Sequence, residues 1–332
     1  MNNGKALLKR AGMKRAGGAT AALWLAAAVA GVGAPAQATE TGGGTYPNGA
    51  EGMMAAALPP PGTYYLGYFN YYEAGRFNDG KGERGLLPDF RVKASAAVSR
   101  FVWVTDKKIL GADYAMHILV PVVHLDAKMA GLSDKRTGIS DITIDPLILG
   151  WHFRNGMHVI TGVDVNVPVG SYDRTSVANF SRHYWSFQPI VTFAYYGKSG
   201  VNVDVKAMYD INLKNRSAQV NGFNPTGADY RSGNEFHVDY AATYNLSPKV
   251  QAGVSGYYYK QTTDDRIDDP AAQAGIDAMD GLRGEAFAAG PTVRVAAGKA
   301  QVIGTWQHEF TADYRPQGDK FWIKLILPLG GK

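Results

Sequence analysis

The sequence predicts an all-β chain, a transmembrane antiparallel up-and-down β-barrel of about 12 strands, with an N-terminal segment that could plug its lumen. Three observations predict it. Apolar and polar side chains alternate with a period of two along most of the sequence, tight turns alternate with long connections, and a secretory leader precedes a chain without cysteine.

Residues 1–38 read as the leader. Lys5, Lys9, Arg10, Lys14 and Arg15 give a basic start, Ala19 to Val32 an apolar run, and Ala36-Gln37-Ala38 a small-x-small cleavage site, with Thr39 the first residue after it. The leader holds five basic residues and no acid, so its removal leaves 29 of the 34 Lys and Arg against 29 Asp and Glu, and the net charge falls from +5 to 0. No basic surplus remains to point to nucleic acid. The absence of cysteine excludes disulfides and thiolate metal sites. Beyond Ala38 no apolar run reaches the roughly 18 residues that a helical span requires, but strands can span with one apolar residue in two.

Residues 39–62 differ from all that follow. Gly42-Gly43-Gly44, Tyr46-Pro47-Asn48-Gly49 and Pro59-Pro60-Pro61-Gly62 surround one short apolar piece, Met53 to Leu58, and give no strand. This segment is either a loose leader or a plug folded into the lumen, with Tyr46, Pro47, Asn48, Glu51, Met53, Met54 and Leu58 as the plug candidates.

The barrel is expected over residues 63–332. Its strands are read in order as 63–73, 91–105, 109–124, 140–153, 157–169, 185–196, 201–212, 235–246, 250–261, 285–297, 301–311 and 320–328. In the fifth, Val159, Val163, Val165 and Val167 alternate with His158, Asp164 and Asn166; in the seventh, Val203, Val205, Ala207 and Tyr209 alternate with Asn202, Asp204, Lys206 and Asp210. The fourth changes parity at Asp145-Pro146, where a bulge is expected. The third is apolar on both faces as far as Val123, as if Met53 to Leu58 covered it from inside.

Tight turns are expected at 106–108, 155–156, 198–200, 247–248 and 298–299. Long connections are expected at 74–90, 125–139, 170–184, 213–234 and 262–284, with 312–319 a shorter member of the long set. Short turns at one end and long loops at the other suit an outer-membrane barrel better than a soluble sandwich. So do aromatic residues near strand ends on the apolar face, such as Tyr64, Tyr72, Trp185, Tyr195, Trp306 and Phe321.

Parity assigns the lumen lining to Lys93, Asp113, Asp141, Asp164, Asn166, Asp204, Lys206, Asp210, Glu235, His237, Asp239, Arg294, Gln307, Glu309 and Lys324. Both signs of charge occur, which favours a network of pairs over a strongly ion-selective pore. The scattered histidines form no serine-hydrolase or His-x-x-x-His pattern, and His308, on the greasy parity beside Trp306 and Phe310, is the one membrane-facing histidine of interest. No catalytic residue, metal or cofactor is expected. The acidic stretch 262–284 lacks the Asp-x-Asp-x-Asp-Gly frame of a calcium loop and reads as solvated.

The stretch Thr39-Glu40, Gly42 to Gly52 and Leu58-Pro59-Pro60-Pro61-Gly62-Thr63-Tyr64 resembles the mature start of the phenol meta-degradation family of outer-membrane proteins, and Gly138 to Ile142 with Pro146 to Trp151 resembles that family's second motif. The resemblance implies a barrel in the outer membrane of a Gram-negative bacterium, in a family regarded as transporters and linked to catabolism of aromatic or other hydrophobic compounds. The chain departs from the common aromatic terminus of such barrels, since Phe321 to Leu327 is followed by Pro328 to Lys332.

The expected function is a passive channel for small hydrophobic or aromatic solutes, not an enzyme. Its expected partners are outer-membrane lipid, lipopolysaccharide, the solute and the barrel-assembly machinery, and a monomer is expected. The alternative is a barrel that does not transport: a receptor, a structural protein or a lipid-acting enzyme.

Overall fold

The period-two sequence becomes strands throughout the computed structural model, which describes residues 43–56, 58–221 and 224–330. The expected leader and Thr39 to Gly42 lie outside the described residues. In chain order the strands are β1 (Gly62–Phe77), β2 (Arg91–Ile109), β3 (Ala112–Met129), β4 (Leu132–Ile139), β5 (Ile142–His152), β6 (Met157–Val167), β7 (Ser186–Tyr196), β8 (Val201–Asn212), β9 (Tyr230–Arg231), β10 (Glu235–Asn245), β11 (Val250–Gln261), β12 (Arg266–Ile267), β13 (Glu285–Ala297), β14 (Ala300–Asp313) and β15 (Pro316–Gly330).

Sequential antiparallel pairing closes on itself: β1 pairs with β2 on one side and with β15 on the other, where Tyr68 stands opposite Lys324. Closure removes the sheet edges that an open sheet would expose. Both β4 and β5 pair with β3 and make one stave interrupted at Ser140-Asp141, so the wall has 12 staves. The short strands β9 and β12 pair with each other outside the wall's sheet, and Tyr230 of β9 also bridges Asn215.

The two faces invert the soluble pattern. Phe69, Val163, Val191, Val254 and Ile323 point outward and are exposed, whereas Asp164, Lys206, Asp210, His237 and Glu309 point inward and are buried. A closed wall that is apolar outside and polar inside fits hydrocarbon around it and a polar interior within.

Several boundaries differ from the sequence expectation. The turn between β2 and β3 is Leu110-Gly111, not 106–108, because both residues adopt positive φ (50° and 77°) and so close a two-residue hairpin. The polar 106–108 instead sits in a register shift between Val104 and Lys108. Residues 125–139 are mostly ladder, since Met129 pairs with Leu132 and Val122 with Ile139. The last link shortens to Tyr314-Arg315, with Tyr314 at φ 47°. The expected irregularity near Pro146 is present as a register shift between Ile144 and Leu149.

The connection 262–284 is structured rather than merely solvated. Helix α1 (Pro270–Asp277) is N-capped by Asp269, whose carboxylate accepts from the N–H groups of Ala271 and Ala272. Its Ile276 packs with Ala218, Tyr230, Ile267 and Leu282. A second apolar cluster, containing Phe77, Leu87, Phe90, Met129 and Val177, ties the loops after β1 and β6 to the long β3 hairpin. Burying each such aromatic contributes about 1.5–3 kcal/mol, enough to give this end a fixed shape.

Candidate functional site

Several residues of the segment that precedes β1 bond to inward-facing side chains of the wall. Ala50 N–H donates to the Pro47 carbonyl, closing a turn at Asn48-Gly49. Gly49 has φ 86°, and a methyl group on it would run into the Gln307 side chain; only glycine meets both demands. The Asp239 carboxylate gathers this turn, accepting from Tyr46 OH at 2.6 Å and from the N–H groups of Gly49 and Glu51 at 2.9 Å each. Thr45 OH donates to Asp210, Ala55 N–H to Asp204, and Gln307 to the Gly49 carbonyl.

Glu51 is the charged centre of the segment. Its Oε2 lies 2.5 Å from Lys324 Nζ, and its Oε1 2.5 Å from Arg100 Nη1 and 2.7 Å from Tyr68 OH. Burial alone would raise the Glu51 pKa, but the charges of Lys324, Arg100 and Lys206 outweigh it and hold the carboxyl well below the ordinary glutamate range. Arg100 Nη2 also donates to His117 Nδ1 at 2.9 Å, which leaves His117 Nε2 as the proton-bearing nitrogen, 2.9 Å from Asp164. Glu51, Arg100, His117 and Asp164 therefore form a continuous chain from the segment to β6.

Beside the segment, three cavities follow one another along the wall made by β1, β2, β3 and β5 to β7. The upper one, about 310 Å³, is bordered by Ala94, Ala96, Val98, Leu119, Pro121 and Val123, with Phe180 and Arg182 of the loop after β6 above it. The middle one is about 50 Å³ and shares Tyr46, Pro47, Val98, Leu119, Thr143 and Trp322 with the upper. The lower one, about 190 Å³, is walled by Leu58, Leu66, Val102, Ile148, Ile160 and Ile190, and it shares Glu51, Arg100, His117 and Lys206 with the middle one. Two larger chambers of mixed lining thus meet at a narrow neck that charged residues border.

The lumen candidates fall into distinct places. Asp164, Asn166, Asp204, Lys206, Asp210, Glu235, His237, Asp239, Glu309 and Lys324 point inward and are buried. Asp204, Asp210, Asp239 and Lys324 bond the segment directly, Lys206 lies over the Tyr46 ring, and Glu309 accepts from Tyr72. Asn166 accepts from Thr143. Arg294 also faces inward, near the short-turn end, where it donates to Gln251 and Gln301. Asp113 lies at the same end, 2.6 Å from Lys108. Asp141 is not on a stave; it occupies the break between β4 and β5 and accepts from the N–H groups of Gly170 and Arg182.

Lys93 is a correction. It faces outward and pairs with Glu73 across the β1–β2 ladder at 2.8 Å. On β2 the inward residues are Val92, Ala94, Ala96 and Val98, so polarity read as the wet face selects the wrong side of this strand. The same rule overlooks Arg100, which has the inward parity and bonds Glu51. His117 was hidden in a strand that is apolar on both faces.

Of the segment candidates, Tyr46, Asn48 and Glu51 bond the wall, Pro47 borders the upper and middle cavities, and Met54 the lower. Leu58 packs on the cluster that contains Val102, Val104, Ala115 and Ile148. Met53 instead crosses to Ala241 and Ile303. Leu119, Pro121 and Val123 are left facing the upper cavity.

The acidic residues of 262–284 are individually engaged. Asp265 accepts from Gly233 N–H and Gln261, Asp268 pairs with Lys214, Asp269 caps α1, and Asp264 and Asp280 pair with Arg283. On the outer face His308 lies 3.0 Å from Asp319, which also accepts from the Trp306 indole.

A family model described as "Putative MetA-pathway of phenol degradation" matches residues 74–325. An outer membrane channel from Pseudomonas putida F1 is similar in structure, with a TM-score of 0.70 at 14% identity, over 82% of this chain and 97% of that one. A Pseudomonas aeruginosa FadL homologue aligns at a TM-score of 0.41 and 8% identity, over 90% of this chain and 100% of that one. None of the curated proteins matches the sequence.

Proposed function

The chain belongs to this phenol-degradation family, and from that premise we propose that it is an outer-membrane channel through which small apolar solutes, phenol-sized aromatics among them, diffuse passively. The observation that carries the reading is the row of three cavities along one wall, two larger chambers with apolar side chains on their walls joined through a narrow neck that Glu51, Arg100, His117 and Lys206 border. A solute leaving water for the upper chamber gains about 25 cal/mol for each Å² of apolar surface buried. Polar sugars gain nothing comparable and lose hydration.

The neck sets the mechanism. Its roughly 50 Å³ accommodates one or two waters at about 30 Å³ each, so an aromatic ring passes only if the segment yields. Residues 43–58 act as a plug in this reading. Glu51 is the movable latch, since leaving Arg100 opens the neck while Lys324 can keep its hold. The lower chamber then receives the solute and delivers it at the short-turn, periplasmic end. Outward Val, Ile and Phe side chains face the lipid, the leader directs export and is removed, the assembly machinery inserts the wall, and closure of the barrel makes one chain sufficient. No residue set is assigned to catalysis.

The test is liposome flux with the purified chain. Wild-type protein admits phenol and excludes arabinose; equal, size-limited entry of both would refute selection for apolar solutes.

A further inference from the structure

We propose that Asp210, Glu235 and His237 bind a divalent transition-metal cation, of the zinc class, which clamps the N-terminal segment to β8 and β10. The proposal is independent of what the channel carries.

The three side chains are fully buried and their ligand atoms lie within 4.8 Å of one another. His237 Nε2 is 3.3 Å from Asp210 Oδ2 and 3.3 Å from Glu235 Oε2. Those separations exceed the usual 2.7–3.2 Å of an N–H···O hydrogen bond. They equal the ligand-to-ligand edge, about 3.3 Å, of a tetrahedron with metal bonds of about 2.0–2.1 Å. Neither Glu235 oxygen nor His237 Nε2 meets a partner at good hydrogen-bond geometry, although His237 and the Tyr259 hydroxyl lie close to Glu235.

The imidazole is oriented for ligation. Its Nδ1 contacts Asn48 Oδ1, an acceptor, so Nδ1 carries a proton and Nε2 is the nitrogen directed at the two carboxylates, free to ligate once it has no proton of its own. Tyr46 and Tyr259 flank the ring at 5.6 and 5.1 Å between centroids and fix its plane. Charge argues the same way. Two buried carboxylates with an imidazolium keep one negative charge, which Arg315 offsets only while it is shared with Glu309, whereas a neutral imidazole with a divalent cation leaves none. The neighbouring carboxylates have other donors: Asp239 has Tyr46 and two backbone N–H groups, and Asp265 has Tyr230, Gly233 and Gln261. Arg315 stacks on Tyr259, 3.9 Å from its centroid. One nitrogen and two carboxylate oxygens suit zinc better than calcium or magnesium, which prefer all-oxygen sites.

The segment supplies the outer layer of the site. Thr45 OH donates to Asp210 Oδ2, and Asn48 orients His237. A cation here joins two wall strands and the turn that they hold.

Because the site is buried, loading is tested during folding. Full-length protein is folded into detergent with Zn²⁺ or with chelator, desalted, and assayed for metal by mass spectrometry; a Co²⁺-loaded sample is examined for the visible absorption of tetrahedral cobalt. Wild type retains about one equivalent, and His237→Gln and Glu235→Gln each lose at least about tenfold in affinity. Native-like far-UV spectra of both variants show that the loss is not misfolding. Zinc retained equally by wild type and both variants, or absent from wild type folded with zinc, overturns the proposal.

Discussion

Glu51 and Lys324, separated by 273 positions in sequence, meet at 2.5 Å inside the barrel, one on the segment before β1 and the other on β15 beside it. Arg100 holds the other carboxylate oxygen from β2. The carboxylate thus bridges strands on both sides of β1, and its loss leaves two buried cations facing each other.

Removing the carboxylate should release the segment rather than leave it in place. Breaking a buried pair at one partner costs about 3–5 kcal/mol, more than a short irregular segment held by a few hydrogen bonds at about 1 kcal/mol each can absorb. Glu51→Ala is expected to raise ion conductance in planar bilayers and to admit arabinose, with Glu51→Gln intermediate. Conductance equal to wild type in both variants contradicts the latch.

The same pair fixes the pH response. Glu51 has a lowered pKa in the folded state, so its contribution is complete above the ordinary glutamate value and is lost only as pH falls through the lower folded value. Conductance should stay at its neutral-pH level through the ordinary carboxylate range and rise only in stronger acid. A rise centred near pH 4–5, the ordinary glutamate range, would place Glu51 outside the network.

Gly49→Ala adds a methyl both where φ is 86° and where Gln307 already sits. Strain at positive φ alone costs about 1 kcal/mol. The variant is expected to be leaky, and adding Gln307→Ala should restore part of the seal by removing the clash while leaving the φ strain. No difference between single and double variants would separate Gly49 from Gln307.

A chain without cysteine allows single thiols to map the path. Leu119 borders both the upper and the middle cavities, whereas Val293 faces outward on β13. Leu119→Cys carrying a bulky maleimide should block phenol flux, and labelled Val293→Cys should conduct normally. Equal flux in the two labelled proteins would move the path elsewhere.

The outer face carries a stability prediction. Val191 lies midway along β7 and is 58% exposed. Val191→Arg should cost about 2–4 kcal/mol in denaturant titrations of lipid-folded protein. A change below about 0.5 kcal/mol would mean that this position meets water.

The strands were legible because alternation is written locally, and β6 to β8 and β10 keep mostly apolar residues outward and mostly polar residues inward, with Ile160, Ile190 and Met208 as inward exceptions. The reading failed where the inside is itself apolar. On β2 the chamber-facing Ala94, Ala96 and Val98 resemble lipid-facing residues, which sent Lys93 inward and hid Arg100. Turn positions such as Leu110-Gly111 depend on backbone conformations that charged neighbours obscure. Pairings such as Glu51 with Lys324 join residues hundreds of positions apart, and only closure of the barrel brings them together.

The most direct measurement is solute flux through liposomes containing either the full chain or a variant lacking residues 43–58. The account predicts phenol entry without arabinose entry in the first, and faster entry of both in the second. Arabinose entry at the same rate in both would contradict the claim that this segment decides what passes.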